Sequence, residues 1–143
     1  MMNKLLICLL LTGLSLGYAK AQYDTLKTPS GLKYVALRKG TGAQPVKGQR
    51  VKVKYIGKLP NGKRFDPPKG PAADFQFKIG NQEVIPGWDE GVTLMHVGET
   101  GFLFVPPNLA YGARGVPDEE NPGQYIIPPN AELMFEIELI SIK

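Results

Sequence analysis

Residues 80–91 read GNQEVIPGWDEG and contain Trp88, the one tryptophan of the chain. The preceding letters FQFKI alternate apolar and polar side chains, which predicts a strand. Trp88, Val92 and Met95 recur at the spacing of one helical face. Pro86 stands near the start of this helix, where its missing N–H group costs nothing. The stretch therefore predicts a strand, a tight bend and a short helix that directs Trp88 inward.

Two interpretations of Trp88 follow from the residues around it. A tryptophan on the inner face of a helix is usually part of the core. However, one small domain rarely has enough core to hide every large apolar side chain that this chain carries on or beside its predicted strands. These side chains are Tyr55, Phe65, Phe75, Tyr111, Ile127 and Phe135. We therefore expect an aromatic-walled pocket with Trp88 as its floor.

The rest of the chain supplies strands to surround this helix. Residues 51–55 and 133–139 alternate apolar and polar side chains, so each predicts a strand with one buried face. Asn61 and Gly62 favour a hairpin with a type I′ turn between two strands. Strands joined by short turns, with one short helix, predict an α+β fold in which a twisted, mostly antiparallel sheet wraps around the helix.

Residues 101–105 predict a further strand, on which Leu103 faces the helix and two phenylalanines point to the opposite face of the sheet. Two exposed phenylalanines would form an apolar patch. We expect Tyr23 and Leu26, from the segment before the first long strand, to cover Phe102 and Phe104.

A targeting signal is expected over residues 1–21. Lys4 gives a positive start, and residues 5–16 are an apolar run too short to span a bilayer. Small residues precede Gln22, so we expect signal peptidase to cut between Ala21 and Gln22. The protein would then be exported, to a periplasm or outside the cell. An uncleaved anchor is the alternative.

The remaining chain is expected to be a polar lead-in over residues 22–30 and one domain over residues 31–143. The one cysteine, Cys8, lies in the predicted signal, so the mature protein would have no disulfide or thiol chemistry. All 13 acidic residues and 15 of the 17 basic ones follow residue 21. This mild charge does not indicate a nucleic-acid partner, and no membrane contact is expected after cleavage.

The long connection over residues 108–130 contains an acidic run, Asp118, Glu119 and Glu120, followed by the turn sequence NPG. Like charges repel each other and stay solvated, so residues 116–125 predict an acidic flap that projects from the body. The flap either selects client proteins or is a tolerated surface insertion.

Several reaction classes lack the side chains that they need. His96 is the one histidine, it stands at the end of the predicted helix, and we expect it at the surface. No group of His, Asp and Glu has metal-ligand spacing, and no nucleophile stands beside a base. Hydrolase, metalloenzyme and kinase chemistry are therefore not indicated.

Five short motifs are spaced along the chain: YIG at 55–57, FD at 65–66, EVIPGW at 83–88, AYG at 110–112 and IIPP at 126–129. In this order and spacing they resemble FKBP-type peptidyl-prolyl cis-trans isomerases, over roughly residues 26–143. The resemblance implies catalysis of X–Pro isomerisation with no cofactor, no metal and no covalent intermediate. It also implies the same sheet wrapped around one helix.

The resemblance assigns a role to each candidate site residue. Trp88 would form the floor under the proline ring. The Ile85 N–H and the Tyr111 hydroxyl would donate hydrogen bonds to substrate carbonyl groups, and Asp66 would act on the twisted amide from the rim. The walls would be Tyr55, Phe65, Phe75, Val84, Ile85, Ile127 and Phe135.

Two positions and one loop depart from the family pattern. Pro71 stands where the family often has an arginine beside the aspartate, and Val116 stands where a histidine is frequent. The loop over residues 116–125 is also longer. Another group must then orient Asp66; the candidates are Arg64, Lys69, Arg114 or a backbone N–H.

Two functions remain open at this point. The first is an isomerase that accelerates X–Pro isomerisation in exported proteins. The second is a non-enzymatic chaperone module that holds proline-containing chains in the same pocket. Under both, the partners are proline-containing polypeptides, with rapamycin-like macrolides as further candidate ligands, and the protein is expected to be a monomer.

Overall fold

The computed structural model describes residues 23–143. The predicted signal over residues 1–21, with its cleavage site and Cys8, lies outside the described residues. Within the described part of the chain, no helix is both long enough and apolar enough to cross a bilayer.

The predicted α+β fold is confirmed: an antiparallel sheet wraps around one short helix. Within residues 23–143, seven strands form the main sheet in the order β1-β2-β6-β9-β3-β4, and β5 also pairs with β3. A second sheet is the two-stranded hairpin β7–β8. The strands are β1 (Thr25–Lys27), β2 (Lys33–Arg38), β3 (Arg50–Lys58), β4 (Arg64–Asp66), β5 (Ala73–Lys78), β6 (Thr100–Val105), β7 (Val116–Pro117), β8 (Tyr125–Ile127) and β9 (Leu133–Ile142).

The helix forms as the apolar spacing predicts, but it is shorter. The α-helix α1 covers Pro86–Gly91 and continues as a 3-10 turn over Val92–Leu94. Met95 has extended backbone angles and closes this turn. Trp88, Val92 and Met95 are all buried. Burying such a large apolar side chain stabilises the fold by about 1.5–3 kcal/mol, so this stripe holds α1 against the sheet.

The core lies between α1 and one face of the sheet. Alternate side chains on β3, β6 and β9 point toward the helix, as the period-two pattern of these strands requires. The buried side chains of these three strands include Val51, Val53, Tyr55, Leu103, Val105, Leu133, Phe135, Ile137 and Leu139.

The hairpin between β3 and β4 is confirmed, but its turn is not type I′. The Gly62 N–H donates to the Leu59 carbonyl at 2.8 Å, and the Leu59 N–H donates to the Lys63 carbonyl at 2.9 Å. Pro60 is therefore the second residue of the turn. Its ring holds φ negative, whereas type I′ needs positive φ at both central residues. Gly62 alone takes the left-handed conformation, with φ of 84°.

The expectation that Leu26 covers Phe102 and Phe104 is wrong. Leu26 pairs with Tyr34, whose side chain is in the core, so Leu26 lies on the helix side of the sheet. The two phenylalanine rings are half-buried on the other face, 6.4 Å apart. Lys33, their neighbour on β2, places its ammonium group 5.0 Å from the Phe104 ring centre. A lysine therefore covers part of this patch.

Candidate active site

The start of α1 places Trp88 at the bottom of a cavity of about 190 Å³. Three rings stand nearly perpendicular to its indole: Tyr55 at 4.8 Å, Phe135 at 5.3 Å and Phe75 at 6.1 Å between ring centres. Edge-to-face pairs of this kind stabilise by about 0.5–1.5 kcal/mol each beyond their burial. The floor of the cavity is therefore a rigid aromatic cluster.

Strand ends and loops supply the remaining lining. We call the space the aromatic cavity. Its described lining residues are Tyr55, Phe65, Asp66, Phe75, Glu83, Val84, Ile85, Trp88, Tyr111 and Phe135. The structure thus brings together all the predicted site residues except Ile127. That residue is only 4% exposed and packs in the core, and it is not among the lining residues.

Gly57 on β3 allows two of the wall rings to meet. A Cβ atom at this position would stand 2.7 Å from the Phe65 ring and 3.0 Å from the Phe135 ring. Without it, the two rings pack edge to face with their centres 5.8 Å apart. Any larger residue here would displace a wall of the cavity.

The carboxylate of Asp66 is exposed at the rim and is held in place by a neutral donor. The Tyr55 hydroxyl donates a hydrogen bond to Asp66 Oδ2 at 2.6 Å. Burial first, and this bond to Asp66 second, raise the pKa of Tyr55 well above its ordinary value, so its hydroxyl stays protonated. The expectation that a cation or backbone N–H orients Asp66 is therefore wrong.

None of the candidate cations, Arg64, Lys69 and Arg114, forms an ion pair with Asp66. Arg64 donates through Nε to the Pro67 carbonyl at 3.2 Å. Among the described residues, Asp66 has no lysine or arginine within ion-pair distance. The negative charge at the rim is consequently oriented by Tyr55 but not neutralised by a neighbour.

Two hydrogen-bond donors border the same space. The Tyr111 side chain is 42% exposed at the mouth. Burial and the negative charge of Asp66 raise the pKa of Tyr111, so its hydroxyl is a donor at neutral pH. Ile85 is the N-cap of α1, with its carbonyl bound by the Trp88 N–H at 2.9 Å. N–H groups at a helix start lack an intrahelical acceptor, which leaves that of Ile85 for a ligand.

The bend before α1 is held by two carboxylates. Glu83 accepts from the Lys78 N–H at 2.9 Å and from Asn81 Nδ2 at 3.1 Å. Asp89 accepts from the Gly80 N–H at 2.9 Å and the Gln82 N–H at 3.1 Å. Sequence reasoning missed Glu83 as a lining residue, although it lies in the motif EVIPGW.

The acidic flap is an ordered hairpin. Val116 pairs with Ile127 and Pro117 with Tyr125. At its tip, Asp118 accepts from the N–H groups of Glu120 and Asn121 at 3.0 and 3.3 Å. The Asn121 side chain also donates to Asp118 Oδ2, at 2.9 Å. This side-chain bond first, and the two backbone bonds after it, lower the pKa of Asp118. One of the three acidic side chains is thus used to build the turn.

Residues 23–143 hold no group of three or more His, Cys, Asp or Glu side chains placed to bind a metal ion. His96 lies outside the aromatic cavity, with 43% of its side chain exposed. The available chemistry is an apolar space, two neutral donors and the Asp66 carboxylate, while the second carboxylate, Glu83, is engaged in the bend before α1.

An antiparallel sheet around one short helix, with an aromatic cavity and the Asp66 carboxylate at its rim, defines the class of protein. Residues 41–140 match the family of FKBP-type peptidyl-prolyl cis-trans isomerases. The chain belongs to this family, whose members include enzymes named for that isomerase activity.

Individual relatives agree with this assignment. Peptidyl-prolyl cis-trans isomerase FKBP1A of Xenopus laevis is 45% identical over 114 residues, 79% of this chain and 99% of that protein. FK506-binding protein 4 of Dictyostelium discoideum is 50% identical over 122 residues, 85% of this chain, but the chain spans only 31% of that protein. The crystal structure of AtFKBP13 superposes with a TM-score of 0.73 at 39% identity, covering 84% of this chain and 99% of that one.

Proposed function

We propose that this protein accelerates cis-trans isomerisation of X–Pro bonds in exported proteins by holding the proline in the aromatic cavity. The observation that carries the proposal is the arrangement at its floor and rim. Trp88 lies beneath, and the charge of Asp66 is held at the edge by the Tyr55 hydroxyl at 2.6 Å. Shape and one oriented charge are enough for this reaction, because no bond to an outside atom is made.

The reaction is slow without help because rotation breaks amide resonance. The barrier is about 18–20 kcal/mol, and the uncatalysed exchange takes about 10–100 s. A catalyst must bind the twisted amide more tightly than the planar one. Each tenfold gain in rate needs about 1.4 kcal/mol of this preference.

Three features of the aromatic cavity would favour the twisted amide. The planar amide has a large dipole, which the twisted form loses, so aromatic walls in place of water disfavour the planar form. The Ile85 N–H and the Tyr111 hydroxyl would fix flanking carbonyl groups of the chain, which directs the proline ring onto Trp88. Asp66, which is exposed and not neutralised, would then act electrostatically on the rotating carbonyl group.

A proline-switch peptide assay tests this proposal directly. Folded protein should raise the cis-to-trans rate of a Leu-Pro peptide well above the spontaneous rate, and a chelator should leave the rate unchanged. Spontaneous kinetics in the presence of folded protein would contradict the enzyme proposal. A Trp88→Ala variant that keeps full activity would contradict the placement of the site.

The alternative, a chaperone without catalysis, is supported by a separate observation. Phe75 and Tyr111, which line the aromatic cavity, are 39% and 42% exposed, and Tyr125 and Ile126 on the flap strand β8 are 46% and 44% exposed. Exposed apolar side chains at a mouth suit the binding of unfolded chains. Suppression of aggregation at the level of the parent by the Asp66→Ala variant, in spite of its lower turnover, would favour this function.

Export is proposed from residues 1–21 alone. A mature protein that begins at Gln22, read by mass spectrometry of the native protein, would support it. Retention of the full leader on a membrane-bound product would favour the uncleaved anchor instead.

A macrolide ligand is proposed from the relatives, several of which are named FK506-binding proteins. An apolar ring of such a ligand would occupy the same place over Trp88 as proline. Competitive inhibition of the peptide assay by FK506 or rapamycin would support this. Inhibition that the peptide cannot displace would contradict a shared site.

A further inference from the structure

A second cavity lies on the helix side of the sheet, beside its β1 edge. It has a volume of about 420 Å³ and shares no lining residue with the aromatic cavity. Strands β1 and β2, the turn after β2, Leu94 and the turn of residues 96–99 enclose it. Neither the isomerase proposal nor the family assignment uses this space. We call it the Glu99 cleft.

The distinctive group of the cleft is a buried carboxylate. Glu99 is only 4% exposed. The Tyr34 hydroxyl donates to Glu99 Oε2 at 2.7 Å, and the Gly40 N–H donates to Oε1 at 3.3 Å. His96 Nδ1 lies 3.5 Å from Oε1. Among the described residues, Glu99 therefore has neutral donors and one histidine, but no lysine or arginine within ion-pair distance.

Buried carboxylates are normally paired with a cation, because removing a charge from water is costly. The nearest lysine of the cleft, Lys39, is at the exposed rim, where it binds Asp24 Oδ2 at 2.7 Å. The negative charge of Glu99 still reaches it: Asp24 first, and Glu99 to a smaller extent, raise the pKa of Lys39. Lys39 therefore pairs with Asp24 and not with Glu99. The Glu99 carboxylate is left able to attract a cation from outside the protein.

Part of the lining of the cleft is apolar. Leu26, Ala36 and Leu94 line it together with polar and charged groups such as Asp24, Lys39 and His96. Space for the Tyr34 ring that supports Glu99 comes from Gly101, where a Cβ atom would clash with the phenol group. A carboxylate at the base with hydrocarbon walls matches a ligand that has a positive end and an aliphatic body.

We propose that the Glu99 cleft binds an aliphatic primary ammonium group, with Glu99 as its counter-ion and Leu26, Ala36 and Leu94 around its methylene chain. A free alkylamine and a lysine side chain of a polypeptide share this chemistry. The site is separate from the isomerase reaction, so its occupation leaves turnover of a small peptide unchanged.

The test is a titration of the 15N-labelled protein with n-butylammonium chloride, followed by amide NMR shifts. Saturable shifts are expected at Gly40, His96 and Glu99, with a dissociation constant of about 1 mM, typical of a ligand with few atoms. The neutral and anionic analogues, 1-butanol and butyrate, should produce no saturable shift there. Absence of saturable shifts at the cleft with butylammonium would overturn the proposal.

Variants separate the site from non-specific charge effects. Glu99→Gln keeps an acceptor for Tyr34 and should weaken butylammonium binding at least tenfold. Glu136→Gln, which removes a carboxylate from another part of the sheet, is the matched control and should leave it unchanged. Equal binding by folded Glu99→Gln protein would overturn the proposal.

A second variant covers the case in which Glu99→Gln does not fold. Leu26 is 49% exposed, so Leu26→Lys preserves the fold and places a competing ammonium group at the rim. Weaker binding by this variant supports the proposal, and unchanged binding overturns it.

The source of the ammonium group is distinguished by a peptide. Saturable binding of acetyl-Gly-Lys-Gly-amide supports a lysine side chain as the ligand. Binding of butylammonium without binding of the peptide supports a free amine. If neither one saturates the cleft, no ammonium site exists there.

Discussion

Two tyrosine–carboxylate pairs in this protein have nearly the same bond and different surroundings. Tyr55 donates to Asp66 at 2.6 Å, and Tyr34 donates to Glu99 at 2.7 Å. Asp66 is exposed at the rim of the aromatic cavity, whereas Glu99 is 4% exposed. The same hydrogen bond therefore orients an accessible charge in one place and compensates a buried charge in the other.

Burial, and not bond geometry, therefore decides what such a pair contributes. An exposed carboxylate is solvated whether or not its tyrosine is present, so its loss affects chemistry more than stability. A buried carboxylate depends on each of its donors, because an unmet hydrogen bond there costs about 1–3 kcal/mol.

The largest effect is expected from the buried pair. Tyr34→Phe should lower the free energy of unfolding at neutral pH by about 1–3 kcal/mol, because Glu99 loses its shortest hydrogen bond. Isomerase turnover of the folded protein should stay at the parent level. Urea unfolding and the peptide assay measure the two quantities. An unchanged urea midpoint would show that Glu99 has other means of solvation.

A tenfold effect is expected from the exposed pair, and in turnover instead of stability. Asp66→Ala should lower kcat/KM by about tenfold, which corresponds to about 1.4 kcal/mol. Its unfolding midpoint should stay close to that of the parent. Asp74→Ala, which removes a surface carboxylate that pairs with Lys52 at 3.4 Å, is the matched control. Full turnover by Asp66→Ala would show that Asp66 has no part in catalysis.

The fold and the aromatic cavity were largely predictable from sequence, because periodicity and motif order determine them. The alternation on β3 and β9 and the helical stripe from Trp88 to Met95 all appear in the structure. Partner choice was not predictable. Tyr55 meets Asp66 because of the pairing of β3 with β4, and Tyr34 meets Glu99 across 65 positions of sequence.

Local chemistry explains two further differences from the sequence predictions. The prediction of a type I′ turn between β3 and β4 was wrong because the φ restriction of Pro60 overrides the preference of the Asn-Gly pair. Leu26 lies on the helix side because the strand register pairs it with Tyr34, and paired residues point to the same face of a sheet. A three-residue strand carries too little pattern to reveal its register.

The free energy of unfolding should depend on pH differently in the parent and in Tyr34→Phe. Burial first, and Glu99 second, raise the pKa of Tyr34 far above the ordinary value of 10.0. The unfolded chain ionises at that ordinary value, so the stabilisation is complete below it and is lost as the pH rises beyond it. The stability gap between the parent and Tyr34→Phe should therefore narrow above about pH 10. A constant gap in urea midpoints between neutral and alkaline pH would contradict this.

The smallest effect is expected at the flap. Replacing residues 118–124 by a short glycine-containing turn should change turnover of a small peptide by less than about twofold, because the tip is not among the lining residues of the aromatic cavity. Refolding of a basic, proline-limited protein should slow at low salt and recover at high salt, since Glu119 and Glu120 are exposed. Parent-level rates on both substrates at both salt concentrations would mark the flap as a mere insertion.

The most direct test of the account compares Tyr55→Phe and Tyr34→Phe in one peptide assay, at a temperature where both variants are folded. Each loses one hydroxyl that donates to a carboxylate. The account predicts that Tyr55→Phe lowers kcat/KM by about fivefold, the equivalent of one hydrogen bond of about 1 kcal/mol, while Tyr34→Phe turns over at the parent rate. Equal turnover by Tyr55→Phe and the parent, or an equal loss in both variants, would contradict the assignment of Asp66 and Tyr55 to the catalytic site.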